Sequence, residues 1–144
     1  MVSTHLQLAF NWLIALNQLN VTALDALSTD DFTGLARPAS LNFGPPRPKA
    51  EFLGALKDAP IKTFNFSLPT PDNIMESPDV VQFYTTTDGQ TAHGFPWKNE
   101  YIITFRFQDD KIKSTVEFFD PIAFKSALGN ETIVAEAKFT CPGQ

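Results

Sequence analysis

The segment from Trp97 to Asp120 constrains the fold more than any other part of the chain. Aromatic and β-branched residues fill 97–107 and 111–119, and the polar run Gln108-Asp109-Asp110 between them predicts a tight turn. Each predicted strand has about ten residues, which is longer than the usual five or six. We therefore expect a long hairpin at the curved back of a cupped sheet, a shape that can line a pocket.

Phenylalanine is unusually frequent in this chain. The 144 residues include 14 phenylalanines but only 2 tyrosines, and 43% of all residues are hydrophobic. That much phenylalanine must be buried in a core or must line an apolar cavity. A chain of this length is expected to form one domain with a sizeable core.

Charge and cysteine content exclude several classes of function. The net charge is -5 with lysine and arginine scattered, so a nucleic-acid surface, which needs clustered basic residues, is not expected. The single Cys141 and the distant His5 and His93 form no metal-binding motif, and we expect neither a metal nor a cofactor. Because no apolar run approaches a membrane span and no signal peptide is recognisable, we expect a cytoplasmic protein without membrane contact.

Hydrophobic spacing and turn residues predict an α+β domain. Gly129 is expected to end the last helix, and Asp88-Gly89 is expected to form a turn between strands. The order of elements, α-α-β-α-β-β-β-β-α, indicates helices packed on one face of an antiparallel sheet. The predicted helices are 4–19, 21–27, 48–59 and 121–128, and the strands before the long hairpin are 31–36, 62–68 and 80–87.

This order, with the closing phrase FRFQDDKI…EFFDP…ALG, resembles the SnoaL-like group of the NTF2-like superfamily over residues 4–129. The resemblance implies a single domain, 1–129, built as a cone-shaped barrel whose curved antiparallel sheet packs against N-terminal helices. It also implies a small-molecule pocket at the open end and a homodimer. Residues 130–144 are expected to form a C-terminal tail. Members include ketosteroid isomerases, polyketide cyclases, epoxide hydrolases, fungal ring-rearranging enzymes and binding modules, so the fold alone does not choose a function.

The ketosteroid isomerase pattern is not preserved at its functional positions. Trp12 stands where that group has a tyrosine, Arg37 before Pro38 replaces its general-base aspartate, and Ile103 replaces its protonated aspartate. An isomerase of that mechanism is therefore not expected. The epoxide-hydrolase arrangement is matched only partly, by Arg37, Asn99 and Tyr101.

Glu117 is the candidate chemical centre, and its face of the sheet depends on one residue of register. With a two-residue turn and regular pairing, Glu117 lies opposite Ile102, on the face of Arg106 and Lys113. One extra residue, in the turn or in a bulge, moves Glu117 to the face of Ile103. The resemblance favours this second register, because the matching positions in ketosteroid isomerases point into the pocket; here they are Thr115, Glu117 and Phe119.

In a pocket, Glu117 would act as a general acid or base, because burial among phenylalanines raises the pKa of a carboxyl. Arg37 at the pocket mouth would anchor a carbonyl oxygen or oxyanion. The remaining predicted substrate-binding residues are Trp12, His93, Trp97, Asn99, Tyr101 and Phe119. Structural roles stay open for all of these: Glu117 as a surface residue, Arg37 in an ion pair with Asp30 or Asp31, and the aromatic residues in the core.

Two functions are consistent with this pattern. The first is a cofactor-independent isomerase or cyclase of secondary metabolism that acts on an apolar, oxygenated small molecule. The second is a non-catalytic module that binds a ligand or dimerises through the face of Ile102, Thr104 and Phe119.

Overall fold

A curved, seven-stranded mixed sheet and four helices make up the described part of the chain. The computed structural model describes residues 2–140, and for 135–140 the backbone alone. The helices are α1 (Thr4–Asn17), α2 (Val21–Leu27), α3 (Lys49–Lys57) and α4 (Pro121–Thr140). The strands are β1 (Ser28–Arg37), β2 (Arg47–Pro48), β3 (Ile61–Thr63), β4 (Ile74–Ser77), β5 (Val80–Thr91), β6 (Pro96–Gln108) and β7 (Lys111–Phe119).

The strands follow the order β2-β1-β7-β6-β5-β3, and β4 pairs with β5. All pairs are antiparallel except β1 and β7, which are parallel, so the sheet is mixed where we predicted an antiparallel one. Helix α1 contributes one side of the core through Ala9, Trp12, Leu13 and Leu16, all of which are buried. The predicted α+β class is confirmed. No helix within residues 2–140 is long and apolar enough to cross a membrane.

Helix α4 is longer than predicted. The Asp120 side chain caps its start by accepting a hydrogen bond from the Ile122 amide at 2.8 Å. The helix continues through Gly129 to Thr140, so the predicted end at Gly129 is wrong. A glycine costs a helix about 1 kcal/mol but does not stop it. Here Ala127 and Glu131, one turn apart on the buried face, continue the packing past Gly129. The boundary between domain and tail stays a prediction, and Cys141 lies outside the described residues.

Gly89 lies inside a strand, where we predicted a turn. Strand β5 runs to Thr91, and the chain turns at Ala92-His93-Gly94, where Gly94 takes a φ of +86°. A Cβ atom on Gly89 would lie 1.9 Å from the carbonyl oxygen of Thr63. The glycine is therefore required because β3 and the residues after it pass very close to β5.

Replacing Gly89 with alanine should lower the free energy of unfolding by several kcal/mol, since a backbone atom has to move to make room. Urea denaturation measures the change. Gly54→Ala is the matched control: it lies in α3 with open space at its Cβ position and should stabilise the protein by about 0.5–1 kcal/mol. Equal effects of the two substitutions would contradict the close approach at Gly89.

The long hairpin has a two-residue turn and also a bulge, so its register is the second of the two that the sequence allowed. Gln108 pairs with Lys111 across Asp109-Asp110, and Asp109 takes a φ of +52°. Phe107 pairs with Ile112, but Arg106 pairs with Ser114, so Lys113 is the extra residue of a bulge. Beyond the bulge, Glu117 lies opposite Ile103 and shares its face.

Candidate active site

The inner face of the sheet and α3 enclose an apolar pocket with a volume of about 160 Å³. Strands β1 and β7 form its floor, α3 forms one side, and the loop before β2 forms another. Two charged side chains, Glu117 and Arg47, stand among apolar ones. The large apolar residues around them are Leu16, Phe43, Phe52, Phe64, Phe66 and Phe119.

Small residues on β1 leave room for the pocket. Gly34 and Ala36 lie on the inner face, next in register to Thr115 and Glu117 of β7. A Cβ atom on Gly34 would lie 2.4 Å from the ring of Phe52. Gly34 therefore lets the α3 ring rest directly on the sheet and form a wall of the pocket.

The loop before β2 supplies a second wall through Phe43. Its neighbours Asn42 and Gly44 take positive φ values of +57° and +82°, which set the direction of the backbone on both sides of the ring. The centroid of the Phe43 ring lies 5.3 Å from that of Phe124 on α4 and 6.2 Å from that of Phe119. Helix α4 thereby supports the pocket from outside.

Glu117 is half-buried on the pocket floor, and no described residue makes a hydrogen bond with its carboxyl. Burial raises the pKa of this carboxyl from its usual 4.5 to about 7. Near neutral pH the side chain is therefore present in both protonated and charged forms, which is the condition for a group that both gives and takes a proton.

Three predicted site residues lie behind the pocket wall. Tyr101 is buried between Phe66 and Phe119, with ring centroids 4.9 Å and 5.2 Å away. The pKa of the Tyr101 phenol is well above its usual value, mainly because the phenol is buried and to a smaller extent because Glu117 is charged. Trp12 and Trp97 are core residues, and the indole nitrogen of Trp12 is buried without a hydrogen-bond partner in the described structure.

Arg37 does not line this pocket. It pairs with Phe118, on the opposite face of the sheet from Ala36 and Glu117, and its Nη1 donates to the Ala36 carbonyl at 3.4 Å. The structure therefore does not place Arg37 at the pocket mouth, where we predicted it. The reason is the alternation of side chains along a strand: Ala36 faces inward, so Arg37 faces outward. No ion pair with Asp30 or Asp31 is present among the described residues either.

Asn99 and His93 hold backbone segments together. The Asn99 side chain accepts from the Asp120 amide at 2.9 Å and donates to its carbonyl at 3.2 Å, which ties β6 to the start of α4. His93 contacts Glu131 of α4 through both its ring and its amide, the amide at 2.8 Å. Of the predicted site residues, Glu117 and Phe119 line the pocket.

Most residues of the pocket wall were not predicted from the sequence. Arg47, Phe43, Phe52 and Phe64 were not proposed, although the run from Asn42 to Pro48 contains a phenylalanine, an arginine, a glycine and three prolines. Such a rigid loop can present two side chains in fixed directions, and that was the available signal. Within the described part of the chain, no group of three His, Cys, Asp or Glu residues could hold a metal ion.

Comparison with known proteins supports the fold. In sequence the chain matches no family model and no curated protein. PrhC from Penicillium brasilianum superposes with a TM-score of 0.81 at 18% identity, over 94% of this chain and 92% of that one. BvnE pinacolase from Penicillium brevicompactum superposes with a TM-score of 0.73 at 21% identity, over 92% and 99%.

A protein from Catenulispora acidiphila described as having a ketosteroid isomerase-like fold, in complex with trimethylamine, superposes with a TM-score of 0.69 at 17% identity. The match covers 85% of this chain and 92% of that one. The chain has the NTF2-like fold that the sequence resemblance implied.

The raised pKa of Glu117 should make stability fall as pH rises. Between pH 4.5 and about 7 the folded protein keeps a proton that the unfolded chain releases, so the free energy of unfolding decreases through this range, by at most about 3 kcal/mol. Glu117→Gln removes this dependence. Relative to the unmodified protein, the variant should therefore gain stability between pH 5 and pH 8.5 in urea denaturation. The exposed Glu51→Gln is the control, and a difference that is the same at both pH values would contradict the assignment.

Proposed function

We propose that this protein is a cofactor-independent isomerase or cyclase that moves a proton on an apolar, oxygenated small molecule, in secondary metabolism and in the cytoplasm. Glu117 is the general acid and base. The observation that carries the proposal is a half-buried carboxyl without a hydrogen-bond partner among the described residues, in an apolar pocket that raises its pKa to about 7.

The fold is compatible with this chemistry. One of its structural neighbours is a pinacolase, although at 21% identity that likeness concerns the fold. The pocket has the volume of a cavity that takes up benzene, about 150 Å³. It therefore accepts one ring of a substrate, and larger parts of the molecule extend into solvent from the open side.

Proton transfer can be tested without knowing the natural substrate. Cyclic ketones such as 2-cyclohexen-1-one and 1-tetralone take up deuterium next to the carbonyl in D₂O when a base removes a proton there, and NMR measures the rate. We expect the protein to accelerate this exchange and Glu117→Gln to reduce the acceleration by about 10²–10⁴ fold. The rate should rise with pH through about 7, as the carboxyl becomes charged.

Glu51→Gln, which changes an exposed carboxyl on α3, is the matched control and should leave the exchange rate unchanged. Equal exchange by the unmodified protein and Glu117→Gln would exclude Glu117 as the base. Ketones that bind in the pocket without any accelerated exchange would favour the non-catalytic binding module.

We further propose that the outer face of the sheet pairs with a second copy of the chain. Tyr84, Ile102 and Phe118 are direct cross-strand neighbours, and each is between 42% and 51% exposed. Such an apolar row on one face is typical of an interaction surface. Phe119, which we predicted on this face, lies inside the pocket because of the bulge in β7.

The substitution Phe118→Glu should convert a homodimer to a monomer, because it places a charge in the apolar row at its most exposed residue. Sedimentation velocity measures the mass. Ile133→Glu, which changes a 65% exposed residue of α4, is the control and should leave the dimer intact. A monomeric unmodified protein at 100 μM, or a dimeric Phe118→Glu variant, would contradict the assignment.

A further inference from the structure

Arg47 is the positively charged side chain among the described residues that line the pocket. It lies on β2 opposite Gly34 of β1, so its side chain is on the same face of the sheet as Thr115 and Glu117. Its guanidinium carbon lies 5.8 Å from the centre of the Phe43 ring. The side chain is half-buried, and the ring of Phe43 limits where the guanidinium can point.

Arg47 and Glu117 line one pocket but do not pair. No ion pair or hydrogen bond joins either of them to another described residue. A guanidinium has five N–H donors, and leaving donors unsatisfied next to apolar walls costs free energy. A purely structural arginine and glutamate in the same pocket would be expected to bind each other. Their separation leaves both groups available to a ligand.

We propose that the pocket selects a compact, unsaturated ring that carries an anionic oxygen, a carboxylate or an enolate, and that Arg47 binds this oxygen. The proposal rests on the proposed function, because it assigns a substrate class to the same site. The ring packs against Phe43, Phe52 and Phe66, and the planar guanidinium donates two hydrogen bonds to the oxygen atoms.

Binding of an anion here is coupled to the proton on Glu117. A charged carboxylate on the pocket floor repels an anionic ligand across a cavity of low dielectric constant, whereas the protonated form does not. The affinity for an anion should therefore decrease as pH rises through about 7, where Glu117 loses its proton. Neutral ligands of the same shape should show no such decrease.

The test compares 2-naphthoate with its neutral counterpart 2-naphthamide, by isothermal titration calorimetry at pH 6 and pH 8. At pH 6 we expect the unmodified protein to bind naphthoate at least tenfold more tightly than naphthamide. Arg47→Met keeps an apolar side chain beside Phe43 but loses the donors, and should abolish this preference. Arg47→Lys keeps the charge but not the planar pair of donors, and should retain only part of the preference.

Arg106→Met is the matched control. Arg106 is exposed on the outer face of β6, and its replacement should change neither affinity. A thermal melt of each variant shows that it is folded. Equal affinity for naphthoate and naphthamide, absence of naphthoate binding at millimolar concentration, or a preference that survives in Arg47→Met would overturn the proposal.

Glu117→Gln separates this inference from the proposed function. In this variant the preference for naphthoate should persist while its decrease between pH 6 and pH 8 disappears. If the variant instead keeps the deuterium exchange of the unmodified protein, the proposed acid and base is wrong, but the Arg47-dependent preference still stands. If exchange depends on Glu117 and the preference does not depend on Arg47, the substrate class is wrong and the proposed function stands.

Discussion

The bulge at Lys113 is the constraint on which the site depends. In regular pairing every side chain of β7 after Lys113 would change face, and Glu117 would enter solvent while Phe118 entered the cup. The extra residue reverses this. It places Thr115, Glu117 and Phe119 toward the helices and leaves Phe118 exposed on the outer face. One inserted residue thus sets both the carboxyl inside the pocket and the apolar row on the outside.

The pocket keeps a polar group where an apolar one would be more stable. A carboxyl at the position of Glu117 loses hydration and gains no hydrogen bond from the described residues, which is why its pKa is raised. A leucine there would fill the cavity at lower cost. Local departures from good packing are expected at functional sites, and the surrounding aromatic contacts, such as Phe43 on Phe124 and Phe66 on Tyr101, compensate for this one.

How far the sequence predicts this structure differs from one residue to the next. The hairpin was predictable, and strand alternation left only two registers for Glu117, between which the family resemblance, not the residue pattern, favoured the inward one. The inward position of Arg47 was not predictable, since the placement of the short strand β2 depends on backbone angles of the preceding loop, such as the positive φ of Gly44. Gly89 and Gly129 were misassigned to a turn and a helix end, because local glycine propensity was outweighed by the packing of β3 and α4.

Helix α4 connects the turn between β5 and β6 to the wall of the pocket. Hydrogen bonds from Thr91, which has the larger effect, and from His93 lower the pKa of Glu131 to about 2. The charged Glu131 therefore holds the helix against the β5–β6 turn. That contribution is lost as pH falls from 4.5 toward 2, whereas Glu117 weakens the fold as pH rises from 4.5 through 7. The combined contribution of the two carboxyls to the free energy of unfolding is therefore largest at mildly acidic pH. Phe124 of the same helix supports Phe43. The wall of the pocket therefore depends on the contact between Glu131 and His93, although neither of these residues lines the pocket.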